Sequence, residues 1–197
     1  MQEVVSIDLG SNSFRVLKYD CVNHIILSEH NEVVGLADGL IKTGEISKAA
    51  QDRVINAIQK TVKEIKYEPS MAVAVTTAAM RKAKNSQEVL NNILKKTGVK
   101  FHIIDGSEEA RLTLLAVKYA LKREKIDSSK FILLDIGGGS TELIISTNNE
   151  YIAKSFDFGI VTMTQNYIHH QDLQDDLDRR KKEIKDFLSD IQINTQE

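Results

Sequence analysis

Two stretches far apart in this chain carry the same arrangement of a carboxylate, glycine and hydroxyl groups: Asp8-Leu9-Gly10-Ser11-Asn12-Ser13 and Asp135-Ile136-Gly137-Gly138-Gly139-Ser140-Thr141. Glycine lets a backbone approach a ligand closely, and successive N–H groups in a turn form a concavity for phosphate oxygens. Ser11, Asn12 and Ser13 on one side, and Gly137, Gly138, Gly139, Ser140 and Thr141 on the other, could therefore cradle a phosphoryl group. A single Asp-x-Gly sequence is equally what an ordinary turn uses. Repetition with matched flanks favours a site.

The flanks are the elements that would position the loops. Val4-Val5-Ser6-Ile7 enters the first and Phe14-Arg15-Val16-Leu17 leaves it; Phe131-Ile132-Leu133-Leu134 enters the second and Glu142-Leu143-Ile144-Ile145 leaves it. Both read as β-hairpins, and two such turns imply two related half-domains facing each other across a phosphate site. Between them strands and helices alternate, the pattern of an α/β fold. Ser47 caps a helix with Ala50, Val54, Ile58, Val62 and Ile65 at helical spacing. Pro69 separates it from a strand at 71–75. Asn85 or Ser86 starts a helix ended by Gly98. After the strand Phe101-His102-Ile103-Ile104, Ser107 is expected to cap a helix through about Arg123 with Leu112, Leu115, Ala116 and Tyr119 inward. A strand at 151–156 and a polar helix from about Asp172 to Ile191 close the chain.

Composition narrows the class. The 197 residues, 42% hydrophobic and 27% charged, suffice for a core in one or two domains. A net charge of −2 provides no overall field for nucleic acid or a membrane surface. The single cysteine, Cys21, excludes an intramolecular disulfide and a thiolate metal cluster. Met1-Gln2-Glu3 opens no basic and apolar leader, and no run reaches the roughly 20 apolar residues of a membrane span. The expected compartment is the cytoplasm. His24, His30, His102 and the pair His169-His170 lack metal-ligand spacing, and Arg179-Arg180-Lys181-Lys182 is interleaved with acidic residues, as on a solvated helix face.

Five motifs, in this order, carry a resemblance: Ile7-Asp8-Leu9-Gly10-Ser11-Asn12-Ser13-Phe14, the loop from Leu36 to Gly44, Thr77-Ala78-Ala79-Met80-Arg81, Gly106-Ser107-Glu108-Glu109-Ala110-Arg111, and Asp135-Ile136-Gly137-Gly138-Gly139-Ser140-Thr141-Glu142. Together they resemble the exopolyphosphatase and guanosine pentaphosphate phosphatase family over residues 1 to about 165. That family belongs to the actin, Hsp70 and sugar-kinase superfamily. The resemblance therefore implies an actin-like (ribonuclease H-like) two-domain α/β ATPase fold, with a first domain over 1–125 and an incomplete second domain over 126–197.

The resemblance also implies roles. A glutamate in the first turn of a helix is favoured by the macrodipole by roughly 0.3–1 kcal/mol whatever its function. The family's general base is the glutamate directly before the alanine of its motif, which maps to Glu109 rather than Glu108, with a water attacking the terminal phosphorus. Arg81 matches the family's phosphate-binding arginine, although beside Lys82 and Lys84 it also reads as part of a solvated face. Asp135 and Glu142 offer oxygen ligands suited to magnesium, with Asp8 from the facing hairpin as a further carboxylate. Implied substrates are polyphosphate or guanosine pentaphosphate.

Two departures stand against the family pattern. Gly159-Ile160-Val161-Thr162 occupies the place of a Gly-x-Val-Arg stretch, removing one basic contact, and the strands and Gly-Gly-Thr-type loop of a complete second domain do not follow. An open sheet of this kind is expected to favour a homodimer or exchange of elements between chains. A nucleotide- or polyphosphate-binding protein without turnover, a kinase of the same fold and an inactive fragment are the competing readings.

Overall fold

The computed structural model describes residues 3–148, 150–165 and 170–191. Two sheets carry the two loops. The first runs in the order β3-β2-β1-β4-β5, with β1 (Glu3–Leu9), β2 (Ser13–Asp20), β3 (Ile25–Val33), β4 (Val73–Thr76) and β5 (Phe101–Ile103). β1, β2 and β3 are antiparallel neighbours, whereas β4 lies parallel to β1 and β5 parallel to β4. The second sheet is the antiparallel meander of β6 (Phe131–Ile136), β7 (Thr141–Ser146) and β8 (Tyr151–Phe156).

Period-two alternation explains the first sheet. Val5, Ile7 and Leu9 of β1, with Phe14 and Val16 of β2, are buried on one face, where helices cover them. The cover is α2 (Lys48–Thr61) and α4 (Ser86–Thr97). Ser47 caps α2 by accepting from the Ala50 amide, and Ala50, Val54 and Ile58 form its buried stripe, as its spacing requires. Asn85 acts differently from the expected cap. Its side chain receives the Ile46 amide at 2.9 Å and donates to the Ile46 carbonyl at 3.0 Å, tying α4 to the entry of α2. Gly98, with φ of 77°, ends α4 as the sequence indicates. Two short helices complete this side, α1 (Leu40–Thr43) and α3 (Ala78–Lys82).

The helix α5 (Gly106–Arg123) departs from its expected cap and face. Asp105, not Ser107, caps it, accepting from the Glu108 amide at 2.8 Å. Its buried residues are Ala110 and Leu114, which pack on Ile144 of β7 with Phe131, Leu133 and Ala153 around them. Leu115 and Tyr119, placed inward by the periodicity, are 52% and 51% exposed. Two apolar stripes compete on this helix, and the one that wins packs on a sheet still to be made when the helix is read off the chain. After the meander come α6 (Ile160–Gln165), which the sequence did not indicate, and α7 (His170–Asp190), whose Phe187 packs edge-on against Phe156 of β8 at 6.0 Å. His169 lies outside the described residues. No described helix is long and apolar enough to cross a membrane.

Candidate active site

The two hairpin loops have the same internal geometry. In the first, the Gly10 amide donates to the Ser13 carbonyl at 2.9 Å; in the second, the Gly137 amide donates to the Ser140 carbonyl, also at 2.9 Å. Asp8 lies opposite Arg15 in one ladder and Asp135 opposite Glu142 in the other. The repeat is thus structural, with a cation on one side where the other has a carboxylate.

The loops meet. A Cβ on Gly139 would lie 2.4 Å from Ser11 Oγ and 3.1 Å from Ala78 Cβ, and one on Gly138 would lie 3.2 Å from the Cβ atoms of Ser11 and Asn12. Any side chain at Gly139 would require Ser11 to move. The loop carbonyls are held: Gly137 O accepts from the Ile160 amide at 2.9 Å, Gly138 O from the Val161 amide at 2.9 Å, and Gly139 O from Lys82 Nζ at 3.2 Å. In the first loop Ser11 O accepts from Ala37, and Asn12 O from Val34 and Gly35. The amides of Ser11, Asn12, Gly138 and Gly139 have no protein acceptor among the described residues. Four N–H groups are therefore available to an anion.

The hydroxyls of the second loop are engaged. Thr141 Oγ1 donates to Phe158 O at 2.7 Å, and the Ser140 hydroxyl bonds Glu142. Ser11 is buried against Gly139, whereas Asn12 and Ser13 remain partly exposed.

Acidic groups from both halves line this junction. Arg81, at the end of α3, donates through Nη1 to Glu109 Oε2 at 3.0 Å and to the Ile104 carbonyl at 2.7 Å. Burial raises the Glu109 pKa above the usual carboxylate range, the charges of Glu142 and Asp8 add to the rise, and Arg81 opposes it. Glu142 is only 1% exposed and its carboxyl is likewise raised, chiefly by burial and then by Asp135. Burial also raises Asp8, with Asp135 adding to the rise and Arg15, 4.0 Å away, opposing it. Asp135 receives Thr113 Oγ1 at 3.4 Å. Glu108, paired with Arg111 at 2.7 Å, is a surface residue.

Asp8, Asp135 and Glu142 do not form a ready-made metal cage: among the described residues no three His, Cys, Asp or Glu side chains are grouped to hold an ion. One or two of them with phosphate oxygens and waters match what magnesium uses.

Comparison with known proteins fits this geometry. The chain matches the Ppx/GppA phosphatase family over residues 16–195. It belongs to that family. Exopolyphosphatase 1 of Mycobacterium tuberculosis is 31% identical over 167 residues, which is 82% of this chain and 48% of that protein. The crystal structure of an exopolyphosphatase from Cytophaga hutchinsonii superposes with a TM-score of 0.74 at 30% identity, covering 86% of this chain and 55% of that one. The ethanolamine utilization protein EutJ from Carboxydothermus hydrogenoformans, at 11% identity and a TM-score of 0.54 over 98% of this chain and 74% of that one, shares the fold alone, which is actin-like. The chain spans about half the length of the curated relatives it matches.

In this Ppx/GppA chain the structure adds residues that sequence reasoning passed over. Lys82, read as solvated, holds the glycine loop and also reaches Asp157 Oδ1 at 3.2 Å. Gly159 abuts the same loop, since a Cβ there would lie 2.4 Å from Gly137 O. Thr162 receives the Gly159 amide at 2.8 Å and donates to the Gly159 carbonyl at 2.9 Å. The signal for α6 was present only as Gly159 followed by Ile160-Val161, too short for a helical period.

Proposed function

We propose that the protein is a phosphoanhydride hydrolase that removes the terminal phosphate of inorganic polyphosphate. The observation that carries this is the pairing of Glu109 with Arg81 at a junction of free loop amides. Glu109, its pKa raised by burial, is a stronger base than an exposed carboxylate. A water held by its carboxylate would attack the terminal phosphorus while the bond to the bridging oxygen breaks. The leaving chain takes the electron pair and Glu109 the water proton. Arg81, fixed by Ile104 O, and the amides of Gly138 and Gly139 would stabilise charge on the equatorial oxygens.

The reading includes magnesium. Asp8 and Glu142, whose pKa values are raised by burial and by the charge of Asp135, are groups that a hard cation would relieve. Bound there it would offset the charge between these carboxylates and the phosphate oxygens. Guanosine pentaphosphate, with the same terminal anhydride, is the alternative substrate within this reading.

The test is phosphate release from polyphosphate and from guanosine pentaphosphate, with and without magnesium, by the wild-type chain and Glu109→Gln. Magnesium-dependent release that is lost in the variant is the expected result, and the preferred substrate assigns the specificity. Release that persists in Glu109→Gln removes Glu109 as the base. Binding of polyphosphate without release would instead favour a non-hydrolytic protein of this fold.

A further inference from the structure

We propose that Ser155 of β8 is a positioning residue that aligns two parts of the site at once, the Glu142 carboxylate through its hydroxyl and the Glu109-bearing first turn of α5 through its Cβ. The inference rests on the hydrolase reading for its kinetic test only.

The hydroxyl half is a cross-strand pair. Glu142 and Ser155 stand opposite each other in the β7–β8 ladder, and Ser155 Oγ donates to Glu142 Oε1 at 2.7 Å. A short hydrogen bond to a buried carboxylate fixes its rotamer as well as its charge. Because the same carboxylate is bonded by Ser140, it is held from both sides: one donor comes from the glycine loop and one from the neighbouring strand.

The Cβ half explains a glycine that backbone conformation does not. Gly106, the first residue of α5, has no positive φ, so any residue could adopt its conformation. Space is what excludes them. A Cβ at Gly106 would sit 2.5 Å from Ser155 Cβ and 2.7 Å from its Oγ. Glu109 follows three residues later, under one helical turn away. The contact between Gly106 and Ser155 therefore sets the separation of Glu109 from the second sheet, and a methyl group at 106 would lift that turn away from Glu142. A displacement of about 1 Å at such a centre can cost on the order of 10²-fold in rate.

Three variants separate this role from simple packing: Ser155→Ala keeps the Cβ and removes the donor, Gly106→Ala adds the clash, and Gly106→Ala with Ser155→Gly removes the clash but not the loss of the donor. With polyphosphate as substrate, Ser155→Ala should lower kcat about 10- to 100-fold with KM near wild type and a thermal midpoint lowered less than in Gly106→Ala. Gly106→Ala should lower both kcat and midpoint. The double variant should recover the midpoint and retain the kcat loss. Wild-type kcat in Ser155→Ala, or no recovery of midpoint in the double variant, overturns the proposal. If the wild-type chain releases no phosphate, the hydrolase reading fails by itself. Denaturant unfolding then decides: the stability changes caused by Ser155→Ala and Glu142→Gln should be non-additive, and additive changes overturn it.

Discussion

Arg81 Nη1 lies 3.0 Å from Glu109 Oε2 and 2.7 Å from the Ile104 carbonyl, so one guanidinium nitrogen joins the end of β5 to the first turn of α5. Arg81 lowers a Glu109 pKa that burial, Glu142 and Asp8 raise. Removing the cation leaves only the raising influences. Arg81→Met should therefore move the acid limb of the kcat/KM profile to higher pH, because the base must be ionised to act. It should also reduce kcat roughly 10²–10³-fold through loss of charge stabilisation. An acid limb that stays in place or moves to lower pH would contradict the electrostatic account.

Glu142 gives a stability prediction with a definite sign. Its folded-state pKa is raised, so between the unfolded carboxylate value and that raised value the folded protein binds more protons. Stability contributed by this group falls as pH rises through the raised pKa. At pH 7–8 Glu142→Gln should raise the thermal midpoint, by about 2–4 °C for each kcal/mol gained in a chain of this size, while activity is lost. The gain should shrink toward pH 4. A lower midpoint at neutral pH, measured by calorimetry without added divalent cations, would falsify the prediction.

The glycine contacts rank two further substitutions. At Gly139 the added Cβ meets the Ser11 hydroxyl at 2.4 Å, a side-chain atom; at Gly159 it meets Gly137 O at 2.4 Å and Gly138 C at 2.7 Å, both backbone. Side chains rotate and backbone in a held turn does not. Gly139→Ala should cost about 1–3 kcal/mol and be partly rescued by Ser11→Gly. Gly159→Ala should cost more, find no such rescue and displace the loop amides. Urea unfolding of the three variants orders them, and equal costs at the two glycines would sink the argument.

Much of this arrangement is visible in the sequence because it is local. Alternation in Val5, Ile7 and Leu9 fixes which face of β1 is buried, and that face places Asp8 on the other side. The match of Asp8-Leu9-Gly10 with Asp135-Ile136-Gly137 extends to equal turn hydrogen bonds. What the sequence hides depends on partners distant along the chain. Leu112, Leu115 and Tyr119 form as regular a stripe as Ala110 and Leu114, and only the second sheet decides between them. Lys82 reads as a surface lysine until Gly139 O is brought within 3.2 Å of it. Gly106 looks like a poor helix start until Ser155 occupies the space of its missing side chain.

The edge of the second sheet yields the last prediction. β6 pairs with β7 on one side and with no strand among the described residues on the other. The corresponding side of β1, its counterpart in the repeat, holds β4 in parallel. Along the open edge Ile132, Leu134 and Ile136 are 66%, 51% and 53% exposed, and no lysine or proline interrupts them. An apolar edge with unused N–H and C=O groups is a template for another strand. In solution this chain should pair β6 with β6 of a second copy about a two-fold axis, joining two three-stranded sheets. Sedimentation at micromolar concentration should give a dimer. Ile132→Lys, which puts charge on the edge without touching the buried face under α5, should return it to monomer. A wild-type monomer with one sharp unfolding transition would show that the edge is covered without a partner.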